Sequence, residues 1–209
     1  MRQKKLLLVT VLGLLSLVCA QRVGAVEFIV NGGFETGTFS PWTILSSMPT
    51  PVVSNVGPHS GTFDALMGDL NPPESLGDSS ILSNLTAPLP AGAMLSFWWN
   101  GFTTDSITFD WQDAYITNAG GTILATVMHQ CLTTGTYLNV NYSLAAFAGQ
   151  QVRVEFLVHS DGFGDVTNMR VDDVSIQGVP EPGVASLGLL GFGALAATAV
   201  GRRVRRARA

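Results

Sequence analysis

The chain has 209 residues and a formal net charge of −4 at pH 7. Nine of its eleven basic residues lie near the two ends, so residues 26–178 hold fourteen acidic side chains against only Arg153 and Arg170. Such an acidic middle region repels phosphate backbones, which excludes nucleic acid as a partner. It favours a divalent cation such as calcium, or it forms a solvated surface that keeps the protein soluble.

Residues 1–25 have the pattern of a secretory signal peptide. Three basic residues lie within the first five positions, an apolar stretch covers residues 6–20, and Val23-Gly24-Ala25 is a small-residue cleavage site. We expect cleavage after Ala25. Cys19 offers the alternative of a lipoprotein site, but Val18 stands where such a site needs a small residue.

Removal of the signal peptide leaves Cys131 as the single cysteine. One thiol cannot form an internal disulfide, so another interaction must stabilise the exported domain. We expect Cys131 to be a small buried apolar residue; the alternative is a nucleophile.

The pattern of residues 26–178 predicts one all-β domain. Short runs rich in β-branched and aromatic residues alternate with clusters of Gly, Pro, Asn and Asp. The predicted strands are Val26–Val30, Val52–Val56, Thr62–Met67, Ser79–Leu85, Met94–Gly101, Ser106–Thr117, Thr122–Met128, Tyr137–Ser143, Val152–His159 and Met169–Gln177. Closely spaced strands of this kind are typical of a two-sheet jelly-roll sandwich.

Four segments of this domain occur in a recognisable order. They are VNGGFETG at residues 30–37 followed by Pro41-Trp42, GPHSGTFDAL at 57–66, LAAFAGQQVRVEF at 144–156, and VDDVSI at 171–176. Together they resemble the jelly roll of carbohydrate-binding modules and related galactose-binding-like domains. The resemblance spans nearly the whole domain and implies a non-catalytic sugar-binding module.

The resemblance also implies a structural calcium ion held by Glu35 and Asp172, with Ser60 and Gly61 as weaker backbone contributors. Calcium takes six to eight oxygen ligands, and the first and last strands of a jelly roll lie close together. By alternation, we expect Asp172 to point inward with Val174 and Ile176, although the choice between Asp172 and its neighbour Asp173 stays open. The alternative is that these carboxylates are turn residues that accept hydrogen bonds from backbone N–H groups.

Sugar sites combine flat aromatic faces with polar side chains that bind hydroxyl groups. We predict Trp99, Trp111, Asn100 and Gln112 as ligand contacts. Trp98 and Trp99 are neighbours on one strand and must face opposite sides of the sheet. Core packing is the alternative for each aromatic residue, because a shared fold does not fix the ligand.

The sequence offers little for an enzyme. His59, His129 and His159 have no metal-binding spacing, and Ser60 is not in a nucleophile elbow. A pair of glycosidase carboxylates stays open as an alternative. The loop DGFGD at residues 161–165 is either a second cation or ligand loop or a plain hairpin connection.

Residues 179–209 form a tail with three ordered features. Pro180-Glu181-Pro182 precedes an uncharged apolar run at residues 184–200, which is at the short end for a single transmembrane helix. Five arginines follow the run: Arg202, Arg203, Arg205, Arg206 and Arg208. They favour a cytoplasmic C-terminus. A buried amphipathic helix with a basic cap is the alternative, but the run has no polar stripe.

This tail resembles the PEP-CTERM sorting segment of Gram-negative bacteria that make exopolysaccharide. The resemblance implies processing by an exosortase near the Pro-Glu-Pro motif. We therefore expect the domain to be held on the periplasmic side of the inner membrane and then displayed at the cell surface or released into the extracellular matrix. Calcium-stabilised polysaccharide binding is the first functional hypothesis. A structural matrix protein or adhesin without sugar specificity is the second, and a small polysaccharide-active enzyme is the third.

Overall fold

The structure is a computed structural model, and it describes residues 24–179. This part of the chain folds into one compact unit over Ala25–Val179. Eleven strands lie within the described range: β1 (Val26–Glu27), β2 (Thr43–Ser47), β3 (Val52–Ser54), β4 (Asp64–Gly68), β5 (Gly77–Leu82), β6 (Met94–Thr103), β7 (Trp111–Thr117), β8 (Ile123–Gln130), β9 (Leu138–Ser143), β10 (Arg153–Ser160) and β11 (Thr167–Gly178). A single 3₁₀ turn in this range, Ala145–Phe147, connects β9 to β10.

The strands form two antiparallel sheets. The larger sheet has the order β3-β4-β11-β6-β9, with the short β1 also paired to β11. The smaller sheet has the order β2-β5-β10-β7-β8. Most neighbours in each sheet are far apart in sequence, as in a jelly roll, and the last strand lies beside the first one; the exceptions are β3-β4 and β7-β8, which are consecutive.

The hydrophobic core fills the space between the two sheets. Alternate residues of each strand point inward; Leu95, Phe97 and Trp99 do so from β6, and Val154, Phe156 and Val158 do so from β10. Phe97 and Phe156 meet edge to face across the core, with ring centroids 4.9 Å apart. Such a pair contributes about 1 kcal/mol beyond its buried area.

The predicted all-β two-sheet sandwich is confirmed, and each of the ten predicted strands overlaps an observed one. One strand was missed, because β2 is a short edge strand whose side chains are mostly exposed and it lacks the alternation that marks a half-buried strand. The predicted start of β7 was also wrong. Residues 106–110 form a turn in which the carbonyl of Ser106 accepts hydrogen bonds from the N–H groups of Phe109 and Asp110.

The two predicted sorting segments lie almost entirely outside the described residues. The first 23 residues of the signal peptide and the tail from Pro180 onward lie outside the described residues. Within residues 24–179, no helix reaches the length and apolar character needed to cross a membrane.

Candidate functional site

A β-bulge in β11 sets the positions of the two neighbouring aspartates. The pairing of β11 with β6 shifts between Asp172 and Ser175, and Asp173 has a left-handed φ of 49°. Val171 lies opposite Trp99, and both side chains are in the core. Asp172 lies opposite Trp98, and cross-strand partners share a face of the sheet. The expected alternation was therefore wrong. Asp172 points to the outer face, because the bulge changes the parity of the strand before Val174.

Asp172 is fully buried on that outer face, beneath the loop of residues 57–61. Its Oδ2 atom accepts hydrogen bonds from the backbone N–H groups of His59 at 2.9 Å and Ser60 at 3.0 Å. Its Oδ1 atom accepts one from the N–H of Asp173 at 2.7 Å. Burial raises the pKa of Asp172 to about 6, and the nearby charge of Asp173 adds to this shift while the three hydrogen bonds oppose it.

Asp173 is half-buried and joins the same loop through its side chain. Its Oδ1 atom accepts a hydrogen bond from the Ser60 hydroxyl at 2.8 Å, and its Oδ2 atom lies 2.7 Å from Nδ1 of His59. The His59 ring stacks on Trp98 with centroids 4.0 Å apart and an interplanar angle of 15°. One group of potential metal ligands is thus His59, Asp172 and Asp173, whose ligand atoms lie within 4.8 Å of one another.

Glu35 lies next to this group but is directed elsewhere. Its carboxylate accepts hydrogen bonds from the backbone N–H groups of Thr62 and Phe63 at 2.9 to 3.0 Å. Gly61 lies directly against this carboxylate, with a left-handed φ of 60°, so any larger residue would collide with it. A Cβ atom at Gly33 would lie within 3.8 Å of Cγ of Glu35 and of Oδ1 of Asp172.

The side chains of Glu35, Asp172 and Asp173 therefore lie around Gly33. Asp172, Ser60 and Gly61 lie in one contact network, with Glu35 at its edge. Each carboxylate oxygen of Glu35, Asp172 and Asp173 already has a hydrogen-bond partner within residues 24–179. An oxygen that accepts one hydrogen bond keeps a second lone pair, so the set is compatible with calcium but is also satisfied without it.

Two of the predicted ligand contacts are buried. Trp99 is 3 % exposed and belongs to the hydrophobic core. Gln112 is 0 % exposed; its amide donates to the carbonyl of Asn168 at 2.9 Å and accepts from the N–H of Leu132 at 3.0 Å. Neither side chain offers a surface to a ligand. The prediction for these two residues was wrong because they occupy the inward positions of β6 and β7.

Asn100 lies on the outer face of the larger sheet. It lines a groove of about 210 Å³ together with Phe102, Asn168 and Arg170. Its side-chain oxygen accepts a hydrogen bond from the Thr134 hydroxyl at 2.8 Å. The Arg170 guanidinium is already held by Asp64 at 2.8 Å, so most of the polar groups around Asn100 are occupied by neighbouring side chains.

Trp111 lies on the outer face of the smaller sheet and is half-buried. It pairs with His159 across β7 and β10, and the two rings stack with centroids 4.0 Å apart and an interplanar angle of 12°. Nδ1 of His159 lies 2.7 Å from the Asp78 carboxylate on β5. These three residues form a row across three neighbouring strands.

A second row lies next to it on the same face. The buried Asp113 accepts a hydrogen bond from the Tyr115 hydroxyl, and its other oxygen lies 2.7 Å from Nδ1 of His129. Tyr115 pairs with Glu155 of β10. Burial and the charges of Asp78 and Asp113 raise the pKa of Glu155 above its ordinary value, and burial together with Asp113 raises the pKa of Tyr115. We call these seven residues the Trp111 face: Asp78, Trp111, Asp113, Tyr115, His129, Glu155 and His159.

Cys131 is half-buried, less than the expected full burial, and it has no disulfide partner within the described residues. Its thiol contacts the hydroxyl of Thr103 and the carbonyl of Asp105. Burial raises the pKa of the Cys131 thiol. A raised pKa lowers the fraction of reactive thiolate at neutral pH, which disfavours a nucleophilic role.

The pairing of each histidine with an aspartate was not predicted from the sequence. Each histidine lies 2.7 Å from an aspartate oxygen: His59 from Asp173, His129 from Asp113, and His159 from Asp78. The partners of His59 and His159 are more than 80 positions away in sequence, so spacing motifs do not reveal them. Trp98 is the half-buried, outward-facing member of the Trp98–Trp99 pair, a choice that alternation alone left open.

Comparison with known proteins supports the fold assignment. No family profile matches the chain, and no curated protein matches it. Among solved structures, a family 61 carbohydrate-binding module in complex with β-1,4-galactotriose has a TM-score of 0.52 and 18 % identity, over 72 % of this chain and 97 % of that one. The K3 cleaved adhesin domain of Lys-gingipain from Porphyromonas gingivalis has a TM-score of 0.52 and 17 % identity, over 74 % and 99 % of the two chains.

A third similar structure is part of a much larger protein. The enzymatically active domain of tailspike protein 4 from bacteriophage CBA120 has a TM-score of 0.51 and 13 % identity, over 72 % of this chain but only 21 % of that one. At these identities the similarity establishes a shared β-sandwich fold.

Proposed function

We propose that this protein is an exported, non-catalytic module that binds polysaccharide through the Trp111 face. The observation that carries the proposal is the row of Trp111, His159 and Asp78, in which an indole ring is held by a stacked imidazole that is itself fixed by a carboxylate. A side chain fixed in this way loses little conformational entropy when a ligand binds.

The chemistry of the face suits a sugar. An aromatic ring packs against the apolar face of a pyranose, and carboxylates and imidazoles accept and donate hydrogen bonds to its hydroxyl groups. Asp78 and His129 are accessible polar members of the face, with side chains 42 % and 51 % exposed.

The similar structures support the same class of ligand. One of them is a carbohydrate-binding module crystallised with a β-linked galactose oligosaccharide, and its length matches that of this domain. Another is an adhesin domain, which fits the alternative of a surface protein that binds without sugar specificity.

We propose further that the protein is delivered outside the inner membrane by its two terminal segments. The support is the order of charges and apolar runs in residues 1–25 and 179–209. In this proposal an exosortase recognises Pro180-Glu181-Pro182, and the five arginines keep the end of the tail in the cytoplasm until it is cut.

We also propose a structural calcium ion at the group of Glu35, Asp172 and Asp173. The support is the convergence of these carboxylates around Gly33 and the need of an acidic domain without a disulfide for another link between its chain ends. Ser60 and Gly61 line the same place through the backbone.

A polysaccharide-binding measurement on two matched tryptophan variants tests the functional proposal. Trp111 and Trp98 are both half-buried, and each stacks on a histidine at 4.0 Å, but they lie on opposite outer faces. Trp111→Ala in the full chain should weaken binding to β-linked polysaccharides by about tenfold or more, which corresponds to about 1.4 kcal/mol. Trp98→Ala should leave affinity within about twofold of the wild type if remote sites act independently.

The measurement is a glycan array followed by titration calorimetry, each with calcium and with chelator. Equal losses in both variants would show that the aromatic residues act through stability rather than through contact. If no glycan binds in either condition, the sugar proposal is wrong and the adhesin alternative remains. Polysaccharide turnover by the purified protein would contradict its non-catalytic part.

A further inference from the structure

Three loops bring acidic side chains together at one end of the sandwich. Glu74 lies in the connection between β4 and β5, Asp110 directly precedes β7, and Asp161 directly follows β10. The ligand atoms of these three residues lie within 4.8 Å of one another. The group is separate from both the Trp111 face and the carboxylates near Gly33, and we call it the loop carboxylates.

Two of the loop carboxylates are buried far more completely than surface acids usually are. Glu74 is 6 % exposed and Asp110 is 0 % exposed. One oxygen of each is held by the backbone: Oε1 of Glu74 accepts from the N–H of Gly162 at 2.9 Å, and Oδ1 of Asp110 accepts from the N–H of Asp161 at 2.9 Å. These bonds fix the direction of both carboxylates.

The second carboxylate oxygen of Glu74 and of Asp110 has no hydrogen-bond partner among the described residues. Oε2 of Glu74 and Oδ2 of Asp110 are buried, and neither has a hydrogen-bond partner in the part of the chain that the structure describes. The two side chains are close enough to share a hydrogen bond if one of them carries a proton. A buried oxygen of this kind is costly unless a donor or a cation meets it.

No basic side chain is placed to compensate this charge within residues 24–179. Arg153 and Arg170 are the only Lys or Arg residues there. Arg170 is paired with Asp64. Arg153 is at the opposite end of β10 from Asp161, about 26 Å away at a strand rise of roughly 3.3 Å per residue. Two ionised carboxylates facing each other without a counter-charge repel strongly.

From this geometry we infer that Glu74, Asp110 and Asp161 hold a calcium ion that ties the three loops together. The donor set contains oxygen atoms only, which suits a hard cation and disfavours metals that prefer imidazole or thiolate. The bare oxygens of Glu74 and Asp110 supply two ligands, and the half-buried Asp161 supplies a third from the side open to solvent. Waters can complete the coordination of such a site.

The ion would position the loop of residues 161–165 against the other two loops at this end of the sandwich. Gly162 packs against Leu76, and Phe163 donates its N–H to Glu74. Without a cation the same contacts require a proton between Glu74 and Asp110. The two states therefore differ in how they respond to calcium, which makes them separable by experiment.

Titration calorimetry of calcium into the chelator-stripped full chain tests the inference. Asp110→Asn and Glu74→Gln keep the shape of each side chain but remove its charge, and each should lower the number of bound calcium ions per chain by one. Asp165→Asn is the matched control, because Asp165 is an exposed acid of the same loop that accepts a hydrogen bond from the Thr104 hydroxyl at 3.2 Å and does not belong to the loop carboxylates. It should leave both stoichiometry and affinity unchanged.

Three outcomes decide the matter. Unchanged stoichiometry and affinity in Glu74→Gln and Asp110→Asn would overturn the inference, since a shared proton then explains the pair. Displacement of the ion by an equal concentration of Mg²⁺ would overturn its assignment as calcium. If the buried variants fail to fold, the half-buried Asp161→Asn decides instead: the inference requires its affinity to fall about tenfold or more, and no change refutes it.

Discussion

The carboxylates near Gly33 and the loop carboxylates are both acidic groups that include fully or almost fully buried members, Asp172 in the first and Glu74 and Asp110 in the second, but their oxygens have different surroundings. We call Glu35, Asp172 and Asp173 the chain-end carboxylates. Each of their oxygens meets a backbone N–H, a hydroxyl or an imidazole. Among the loop carboxylates, Glu74 and Asp110 each have one oxygen so satisfied and one bare oxygen within residues 24–179.

Acidic residues that converge at a predicted metal site therefore do not always need a counter-ion. Charge-assisted hydrogen bonds from several backbone N–H groups can hold a buried carboxylate without an ion. A bare buried oxygen beside another carboxylate has no such support. A cation is therefore optional for the chain-end carboxylates, whereas the loop carboxylates need either a cation or a proton.

The largest expected effect is the loss of Asp172. Asp172→Ala leaves the N–H groups of His59, Ser60 and Asp173 without their acceptor, and we expect a loss of about 3 kcal/mol in the free energy of unfolding, measured with chelator present. Asp110→Ala removes the acceptor of one N–H group and also relieves carboxylate repulsion, so its loss under the same conditions should stay below about 1 kcal/mol. Chemical denaturation of both variants measures the difference.

Repeating the Asp172→Ala measurement with calcium tests whether Asp172 acts as a metal ligand. If Asp172→Ala destabilises the protein only when calcium is present, the chain-end carboxylates act as metal ligands and the hydrogen bonds are secondary. If both alanine variants lose the same free energy of unfolding with chelator present, the chain-end carboxylates and the loop carboxylates do not differ in the way proposed.

The next effect is a pH dependence of the calcium-free protein. Burial and the charge of Asp110 raise the pKa of Glu74 from 4.5 to about 7 in the folded state. The folded protein thus binds more protons than the unfolded chain between these pH values. The contribution of Glu74 to stability is therefore greatest below about pH 4.5 and is lost as pH rises through about 7, a change of at most about 3 kcal/mol for this group.

Urea denaturation at a series of pH values, with chelator, measures this slope. Glu74→Gln should remove the part of the decline that occurs near pH 7, while a decline near pH 6 should remain because burial also raises the pKa of Asp172. A wild-type protein whose stability is constant from pH 5 to 8 without calcium would mean that Glu74 and Asp110 do not face each other in solution.

The sequence predicted the architecture well because alternation and turn residues report local structure. Ten of the strands, the two-sheet sandwich and the nearness of the chain ends were all foreseen. The bulge at Asp172 and Asp173 was not, because it depends on the left-handed conformation of Asp173 and on the pairing with β6. Its consequence, the change of parity before Val174, moved Asp172 to the opposite face from the expected one.

The sites were predicted less well because they are built from distant residues. Trp111 and Asn100 are on outer faces, but alternation alone could not say that Trp99 and Gln112 point to the core. The loop carboxylates span 87 positions from Glu74 to Asp161. The DGFGD segment hinted at one of them, whereas Glu74 and Asp110 had no motif that tied them to it.

The smallest expected loss of stability is that of Ser60→Ala, which tests the side-chain hydrogen bonds of the chain-end carboxylates apart from their backbone hydrogen bonds. Ser60→Ala removes one hydroxyl donor from Asp173 at 2.8 Å but keeps the backbone N–H that binds Asp172. Because Ser60 is exposed and water can replace its hydroxyl, we expect a loss of about 0.5 kcal/mol. Thermal unfolding with and without calcium measures it. A loss as large as that of Asp172→Ala would mean that the Ser60 hydroxyl, rather than the backbone N–H groups, is what holds this acidic pair in place.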